Sequence, residues 1–303
     1  MDKLYGFGNA LIDVEVLIED KDLNYLNIPK GNVKGITSKE RDKYLNDFKE
    51  SIKSYQPGGS IANSIFAFSD NSKESCFACT LGKDEFRERF LEGFSDLTQT
   101  IVSDSHKDTG TCFIFITPDG ERTMASYLGA NEDLSNDLIN ENILDGCKYI
   151  IFDSFSVFTQ AGFRTLQFAL KKAKKMNKTI FFGLSDSEVI KNNKEKVKWI
   201  LSREIDFVYG NKTEIETLSN FNFQSPKNII CTNGSEGASF NNFKISAPKI
   251  KMVNTNGAGD AFIGTFISNL ETLNNEDVLE ISVNYASKVC ETNGPRLKKN
   301  ATN

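Results

Sequence analysis

Residues 254–267 read NTNGAGDAFIGTFI, in which a loop of small residues runs into the start of a helix. Phe262, Phe266 and Leu270 recur at the i, i+4 and i+8 spacing of one apolar helix face. Small residues in front of a helix leave its backbone N–H groups open to an anion, and the helix dipole favours negative charge at that end. The stretch therefore predicts a phosphate site formed by three consecutive residues: Gly257, Ala258 and Gly259.

Asp260 follows directly, in the first turn of the predicted helix. In one interpretation its carboxylate is only a partner for the helix dipole. In the other, the carboxylate accepts the proton of a substrate hydroxyl that attacks a phosphorus atom held by the N–H groups. The spacing alone leaves both interpretations open.

Outside this stretch, apolar runs of strand length alternate with segments of helical periodicity over most of the chain. The first run, residues 4–18, is predicted as one strand, and residues 260–271 and 276–292 are predicted as the last helices. Regular alternation of this kind is typical of a mainly parallel sheet covered by helices on both faces. We therefore expect an α/β fold.

Residues 109–128 break this rhythm, because apolar and polar residues alternate on either side of the turn Pro118-Asp119-Gly120. The pattern predicts a β-hairpin that forms a small separate sheet with strand material from residues 14–19 and 32–37. A sheet of this kind would serve as a lid over a ligand. The alternative is an antiparallel edge of the main sheet.

The chain has 303 residues, of which 36 are basic and 41 acidic, for a formal net charge of −5. This balance argues against DNA or RNA as a partner, since nucleic-acid binding needs a basic surface. Without an apolar run of membrane-spanning length or a secretory signal pattern, we expect a cytoplasmic protein with no membrane partner. No linker divides the sequence, so we expect one domain over residues 1–303, with lid segments near 14–37 and 106–128.

Six cysteines and one histidine offer little material for a zinc site or for histidine-based nucleophilic catalysis. Cys76 and Cys79 form the one CxxC, but they lie three residues apart in a predicted strand and so point to opposite faces. We therefore expect reduced thiols. Leu11 stands where a dinucleotide fingerprint beginning at Gly6 needs its third glycine, which argues against an oxidoreductase.

Asp13 and the residues around the start of a predicted helix near residue 60 have two interpretations each. Gly58 and Gly59 allow a ligand to approach the backbone, with Ser60 as the expected N-cap. Asn63, in the first turn, would bind either a polyol or the preceding loop. Asp13, where the first strand leaves the sheet, would accept from two vicinal hydroxyls or occupy a turn.

Two later segments, each after a predicted strand, also have both a structural and a functional interpretation. Asn211 and Glu214 have the spacing of a helix capping box, and alternatively they lie near magnesium or its waters at the carboxyl edge of the sheet. Gly234 and Gly237 follow the next strand, where they would form a hairpin turn or contact a nucleotide. The spacing does not decide between the two interpretations for either pair.

Three of these motifs occur in a fixed order over nearly the whole chain: PGGSIANS at 57–64, YGNKTE at 209–214 and NTNGAGDAF at 254–262. Together they resemble the ribokinase (PfkB) family of carbohydrate and nucleoside kinases. Within it the sequence is most similar to bacterial adenosine kinase-like members, through GNALID at 8–13, TGTC at 109–112, GERTMASYLGAN at 120–131 and GLSDS at 183–187. The resemblance implies a three-layer α/β/α fold with a small β-sheet lid, and ATP-dependent phosphorylation of the 5′-hydroxyl of adenosine.

The resemblance also implies roles for individual residues. It makes Asp260 the general base, beside an anion hole formed by Gly257, Ala258 and Gly259. The positions that match ribose-binding residues are Asn9, Asp13, Gly58, Gly59 and Asn63. Those that match the ATP site are Thr232, Gly234, Gly237 and Asn284, and Arg122 on the lid would reach the phosphates on closure. The pair that would organise magnesium, through water, is Asn211 and Glu214.

Asn254 departs from the family pattern, in which the late motif usually begins with Asp. The change removes a formal charge near the place where many relatives bind potassium, so ATP and Mg²⁺ are expected but activation by K⁺ is in doubt. Ribose, fructose, inosine and guanosine are the alternative acceptors. Outside the family, the alternative is a non-catalytic nucleoside sensor, against which the intact Asp260 argues. The lid hairpin is compatible with a monomer or a homodimer.

Overall fold

The computed structural model describes residues 2–221 and 226–297, and a mainly parallel sheet of nine strands lies at its centre. The spatial order is β14 (Phe243–Ile245), β13 (Ala238–Phe240), β12 (Asn228–Thr232), β11 (Phe207–Asn211), β10 (Thr179–Gly183), β9 (Tyr149–Asp153), β1 (Leu4–Phe7), β5 (Ser75–Leu81) and β6 (Thr98–Asp104). The strands from β12 to β6 are parallel, and β13 and β14 add an antiparallel hairpin at one edge. The central strands β1, β5 and β9 are buried along their whole length, which explains their continuous apolar sequences.

Helices cover both faces of this sheet. The α-helices are α1 (Asp22–Leu26), α2 (Ser38–Asp47), α3 (Ser60–Asp70), α4 (Glu85–Leu91), α5 (Glu141–Asp145), α6 (Gln160–Lys175), α7 (Ser187–Asn192), α8 (Lys194–Leu201), α9 (Lys212–Ser219), α10 (Ala258–Asn269) and α11 (Asn275–Cys290). Short 3₁₀ helices occupy Lys49–Ser51, Gly129–Asp133, Asn136–Leu138, Ser154–Val157 and Gly234–Glu236. The expected α/β fold is confirmed. Among the helices of the described ranges, none is long and apolar enough to span a bilayer.

The two faces of the large sheet bury separate apolar cores. One core contains Ile61 of α3, Phe266 of α10 and Leu279 of α11, and the other contains Leu166 of α6 and Val197 of α8. Cys76 and Cys79 belong to different cores, as expected for residues three apart in a strand, and all six cysteines are free thiols.

A second, smaller sheet has the order β3 (Val33–Gly35), β8 (Arg122–Tyr127), β7 (Gly110–Ile116), β2 (Leu11–Leu17) and β4 (Ile52–Gly58). The hairpin expected around Pro118-Asp119-Gly120 is present as β7 and β8, whose residues pair in antiparallel register. Its partners β2 and β3 overlap the strand material expected at 14–19 and 32–37. The alternative of an edge on the main sheet is wrong, because the hairpin pairs only within this second sheet in the described chain.

The prediction of one strand over residues 4–18 is also wrong. Two strands occupy this range, and each pairs in a different sheet: β1 with β5 and β9, and β2 with β4 and β7. The chain passes from one sheet to the other through residues 8–10. Because Asp13 lies on β2, it belongs to the small sheet and faces the large one, so a ligand between the sheets contacts both.

Close packing of α3 against α10 brings the N-termini of these helices together. Gly264 makes the contact possible, because a Cβ at this position would overlap the carbonyl oxygen of Ser64 on the facing helix. Ser60 and Asn63 lie in the first turn of α3, and Asp260 lies in the first turn of α10. The crossing of the two helices therefore sets the distance between these polar side chains.

We predict that Gly264→Ala destabilises the protein, although Gly→Ala inside a helix normally favours folding by about 1 kcal/mol. The added methyl group must push α3 and α10 apart, so the free energy of unfolding should fall by about 1 to 3 kcal/mol. Urea denaturation measures the change. Gly35→Ala is the matched control, because nothing lies within 4 Å of a Cβ there, and it should change stability by less than about 0.5 kcal/mol. Equal stability of the two variants would contradict the packing argument.

Candidate active site

A cavity of about 340 Å³ lies between the two sheets, at the carboxyl ends of the parallel strands. Asp13 and Cys112 of the small sheet form one wall. The opposite wall comes from the helix starts and strand ends of the large sheet: Gly59, Ser60, Asn63, Tyr209, Asn211, Glu214, Gly257, Gly259 and Asp260. Residues that are far apart in the sequence thus converge on one space at a sheet edge where α/β proteins bind ligands.

Both carboxylate oxygens of Asp260 accept hydrogen bonds from α3. Ser60 Oγ donates to Oδ1 at 2.6 Å, and Asn63 Nδ2 donates to Oδ2 at 3.1 Å. Burial raises the pKa of Asp260 above its usual range, and these two hydrogen bonds act in the opposite direction. The carboxylate is therefore oriented by two donors and points into the cavity, where a base would be needed.

The α3 contacts correct one expectation and refine another. Ser60 is the first helical residue and the N-cap is Gly59, whose φ of 98° lies outside the helical region. The Ser60 hydroxyl donates to Asp260 instead of capping the helix. Asn63 binds Asp260 rather than only the preceding loop. An amide has two N–H groups and two acceptor lone pairs, so Asn63 keeps bonding capacity for a substrate hydroxyl.

The N-terminus of α10 adjoins Asp260 and has the geometry of an anion site. Gly257 is the N-cap with φ of 75°, and Ala258 is the first helical residue. The N–H groups of Gly259 and Asp260 belong to the first turn, where a helix supplies no acceptor for them. Nothing lies within 4 Å of a Cβ built at Gly259, so there is room for a phosphoryl group.

Asp13 faces Asp260 across the cavity. Its Oδ2 accepts from Asn256 Nδ2 at 3.1 Å, and burial raises its pKa to about 7. A Cβ at Gly58 would lie 2.5 Å from Asp13 Oδ1, so Gly58 makes room for this carboxylate and does not itself line the cavity. Asn9 does not line it either, and its carbonyl oxygen packs against the Cα of Gly59. Neither residue is thus placed for a direct contact with a ligand in this cavity.

Asn211 and Glu214 form a complete capping box at the start of α9. Asn211 Oδ1 accepts from the Glu214 N–H, and Glu214 Oε2 accepts from the Asn211 N–H, both at 2.9 Å. Both residues also line the cavity, so the capping and functional interpretations are compatible. Burial raises the pKa of Glu214 to about 7.

Asp153, which our sequence interpretation missed, lies deeper in the site at the end of β9. Among the described residues, its buried Oδ1 has no hydrogen-bond partner, and neither do the hydroxyls of Ser185 and Tyr209, which line the cavity. Burial raises the pKa of Asp153 to about 7. The sequence signal that could have identified Asp153 is its position at the end of a predicted parallel strand, a position that Asn211 shares.

These groups fit a magnesium ion held mainly through water and phosphate. Mg²⁺ in nucleotide sites takes oxygen ligands from one or two carboxylates and completes its shell with water and phosphates. Asp153 and Glu214 provide two carboxylates, one with an unpartnered oxygen. Within the described ranges, no group of three or more His, Cys, Asp or Glu side chains could hold a metal ion. Water and phosphate would therefore have to supply most of the ligands.

A second cavity of about 720 Å³ adjoins the first and shares Asn211, Thr232, Gly259 and Phe262 with it. The predicted nucleotide loop is here, because Gly234 and Gly237 line this cavity together with Thr232. The α11 wall consists of Val283, Ala286, Ser287 and Cys290. Asn284 is exposed and does not line it, since the next residue along a helix points about 100° away from Val283.

Arg122 is the first residue of β8. It contacts the loop that precedes Gly257 and does not line either cavity. Its Nη1 donates to Asn254 Oδ1 at 2.6 Å. The same oxygen accepts the N–H of Asn256 at 2.8 Å, and Asn254 is buried. In this structure Arg122 is therefore engaged by the loop that precedes Gly257, and the expected contact with phosphates would require it to leave Asn254.

Comparison with known proteins identifies the family of the chain. The model of the pfkB family of carbohydrate kinases matches residues 37–302. The chain is 26% identical to adenosine kinase 2 of Arabidopsis thaliana, over 88% of this chain and 87% of the relative. It is also 26% identical to ribokinase of Staphylococcus aureus (strain COL), over 76% and 79%.

Solved structures share the fold at lower identity. A probable sugar kinase from Rhizobium etli CFN 42 superposes with a TM-score of 0.88 at 20% identity, covering 97% of this chain and 94% of that one. Adenosine kinase from Sinorhizobium meliloti superposes with a TM-score of 0.86 at 21% identity, covering 98% and 96%. The ribokinase-like fold expected from the motifs is confirmed, and the chain belongs to the pfkB family of carbohydrate kinases, phosphotransferases that use ATP and an alcohol group as acceptor.

Proposed function

We propose that this protein transfers the γ-phosphate of ATP to the 5′-hydroxyl of adenosine. The observation that carries the proposal is Asp260, held by Ser60 and Asn63 beside the N-terminus of α10, where the two cavities meet. A nucleoside in the smaller cavity and ATP in the larger one would meet at this point. The similarity to adenosine kinase 2 over 88% of the chain supports adenosine as the acceptor.

Each chemical step has a residue suited to it. Asp260 accepts the proton of the 5′-hydroxyl while the hydroxyl oxygen bonds to the γ-phosphorus and the bond to the β–γ bridging oxygen breaks. The N–H groups of Gly259 and Asp260 donate to the phosphoryl oxygens as charge moves onto them. Magnesium, when bound through water near Asn211, Glu214 and Asp153, neutralises phosphate charge. Asp13 accepts from the ribose hydroxyls, and the small sheet shields the reaction from water.

Asp260→Asn should abolish turnover without unfolding the protein. The amide keeps the size of the carboxyl group but cannot accept the proton, and loss of a general base costs about 10²- to 10⁴-fold in kcat. Steady-state kinetics with MgATP and thermal unfolding measure the two effects. Asp96→Asn, at an exposed turn, is the matched control and should behave like the wild type. Near-normal activity of Asp260→Asn would contradict the mechanism.

The acceptor itself is tested by ADP release with a panel of adenosine, inosine, guanosine, ribose and fructose. We expect the highest kcat/KM for adenosine. The similarity to ribokinase at the same 26% identity makes ribose the main alternative, and a preference for a sugar would keep the Asp260 chemistry but change the acceptor. Binding of adenosine without turnover of any acceptor would favour the non-catalytic sensor.

We also infer that the activity does not need potassium. Asn254 is neutral, and its Oδ1 already accepts two hydrogen bonds, one of them from the positive guanidinium of Arg122. A second cation at this oxygen would be repelled by Arg122. Values of kcat/KM should therefore agree within about twofold in potassium, sodium and choline chloride at equal ionic strength. A several-fold rise with potassium alone would show that a cation site persists.

A further inference from the structure

Residues 294–296, after the last helix, return to the site and pack behind it. Pro295 lies against Gly257, where a Cβ would be 2.5 Å from the Cβ of the proline. Gly294 packs against the side chain of Gln56, next to Pro57 and the loop that leads into α3. The segment thus packs against Gly257, at the start of α10, and against Gln56, which precedes the loop into α3.

Arg296 makes the polar contact of this segment with the site. Its Nε donates to Asn63 Oδ1 at 2.9 Å, and its Nη1 donates to the carbonyl oxygen of Gly93 at 2.9 Å. The guanidinium packs against the rings of Phe66 and Phe94, at 5.4 and 5.0 Å from their centroids. These contacts hold the group rigidly, and its Nη2 is buried with no hydrogen-bond partner in the described chain.

We propose that Arg296 is a positioning residue for Asp260, which acts by fixing the orientation of the Asn63 side-chain amide. The inference rests on the proposed role of Asp260 as general base. Arginine carries only donors, so the atom of Asn63 that faces Nε must be the oxygen. The NH₂ group of Asn63 is then forced toward Asp260 Oδ2. If the amide turned over, two oxygen acceptors would face each other, and the carboxylate would lose one of its two donors.

The charge of Arg296 acts in the same direction. Burial lowers the pKa of Arg296 to about 10, so the group stays positive at neutral pH and lowers the pKa of Asp260 against the effect of burial. The other ionisable groups that face Asp260 are Asp13 on β2, Asp153 on β9, Tyr209 on β11 and Glu214 on α9. Ionised, each of these groups is an anion that would favour protonation of Asp260. Among the residues that the structure describes, Arg296 is the cation that opposes them.

The main test compares Arg296→Gln and Arg296→Lys with Arg164→Gln, a control at an exposed position on α6. Arg296→Gln should lower kcat by roughly 10- to 100-fold, because a misoriented catalytic group costs this much. The acidic limb of its kcat/KM profile should move to higher pH by about one unit, since the protonated base is inactive and loss of the cation raises its pKa. Arg296→Lys keeps the charge, so the acidic limb of its kcat/KM profile should stay near the wild-type pH. Wild-type kcat and pH profile in Arg296→Gln would overturn the proposal.

A double-mutant cycle tests whether Arg296 acts through Asn63. In an Asn63→Ala background the amide is absent, so adding Arg296→Gln should reduce kcat much less than it does in the wild type. A fully additive loss would mean that Arg296 does not work through Asn63, and would overturn the proposal.

A readout without substrate separates this inference from the proposed function. Carboxyl ¹³C NMR, with the Asp260 resonance assigned by Asp260→Asn, should give a higher pKa for Asp260 in Arg296→Gln than in the wild type, whichever acceptor is phosphorylated. An unchanged pKa would overturn the proposal. If neither Arg296 variant folds, the Arg296 Nε–H should be protected from solvent exchange in the wild type and exposed in Asn63→Ala. An unprotected Nε–H in the wild type would also overturn it.

Discussion

The contact between α3 and α10 is the constraint on which the site depends. Gly264 lets the two helices approach until the Ser64 carbonyl meets its Cα, and this closeness puts the donors of α3 within hydrogen-bond reach of Asp260. The same approach directs the first turn of α10 at the cavity. The proposed base and the proposed anion site therefore share one support, and a shift between the helices would move the carboxylate away from Ser60 and Asn63 together.

Electrostatics is the second constraint, because the site collects acidic groups in a small volume. Burial raises the pKa values of Asp13, Asp153 and Glu214 to about 7, so each of these carboxyl groups is costly to ionise at its buried position. Positive charge on a metal and hydroxyl donors on a substrate would favour their ionised forms. Arg296 provides permanent positive charge close to Asp13 and Asp260, and a bound metal would add to it. The site is thus suited to bind a cation together with a polyanion.

Much of this arrangement follows from local sequence, and some of it does not. The hairpin at Pro118-Asp119-Gly120 and the helix after Gly257 are predictable because turn chemistry and periodicity are local signals. The change of sheet between β1 and β2 is not predictable, because strand-like residues lie on both sides of Gly8-Asn9 and a turn-favouring pair does not show that the two strands join different sheets. The contact of Arg296 with Asn63 is not predictable either, since the two positions are 233 residues apart and only the fold brings them together.

The loop before Gly257 explains how the small sheet and the anion site are joined. Asn254 Oδ1 accepts from Arg122 on β8, and Asn256 Nδ2 donates to Asp13 on β2, so two side chains of one loop bind two strands of the lid. The backbone N–H of Asn256 also bonds to Asn254, which ties these contacts into one network. Movement of the small sheet away from the large one would break both contacts. It would release the loop that precedes Gly257, and the position of the first turn of α10 therefore depends on the position of the small sheet.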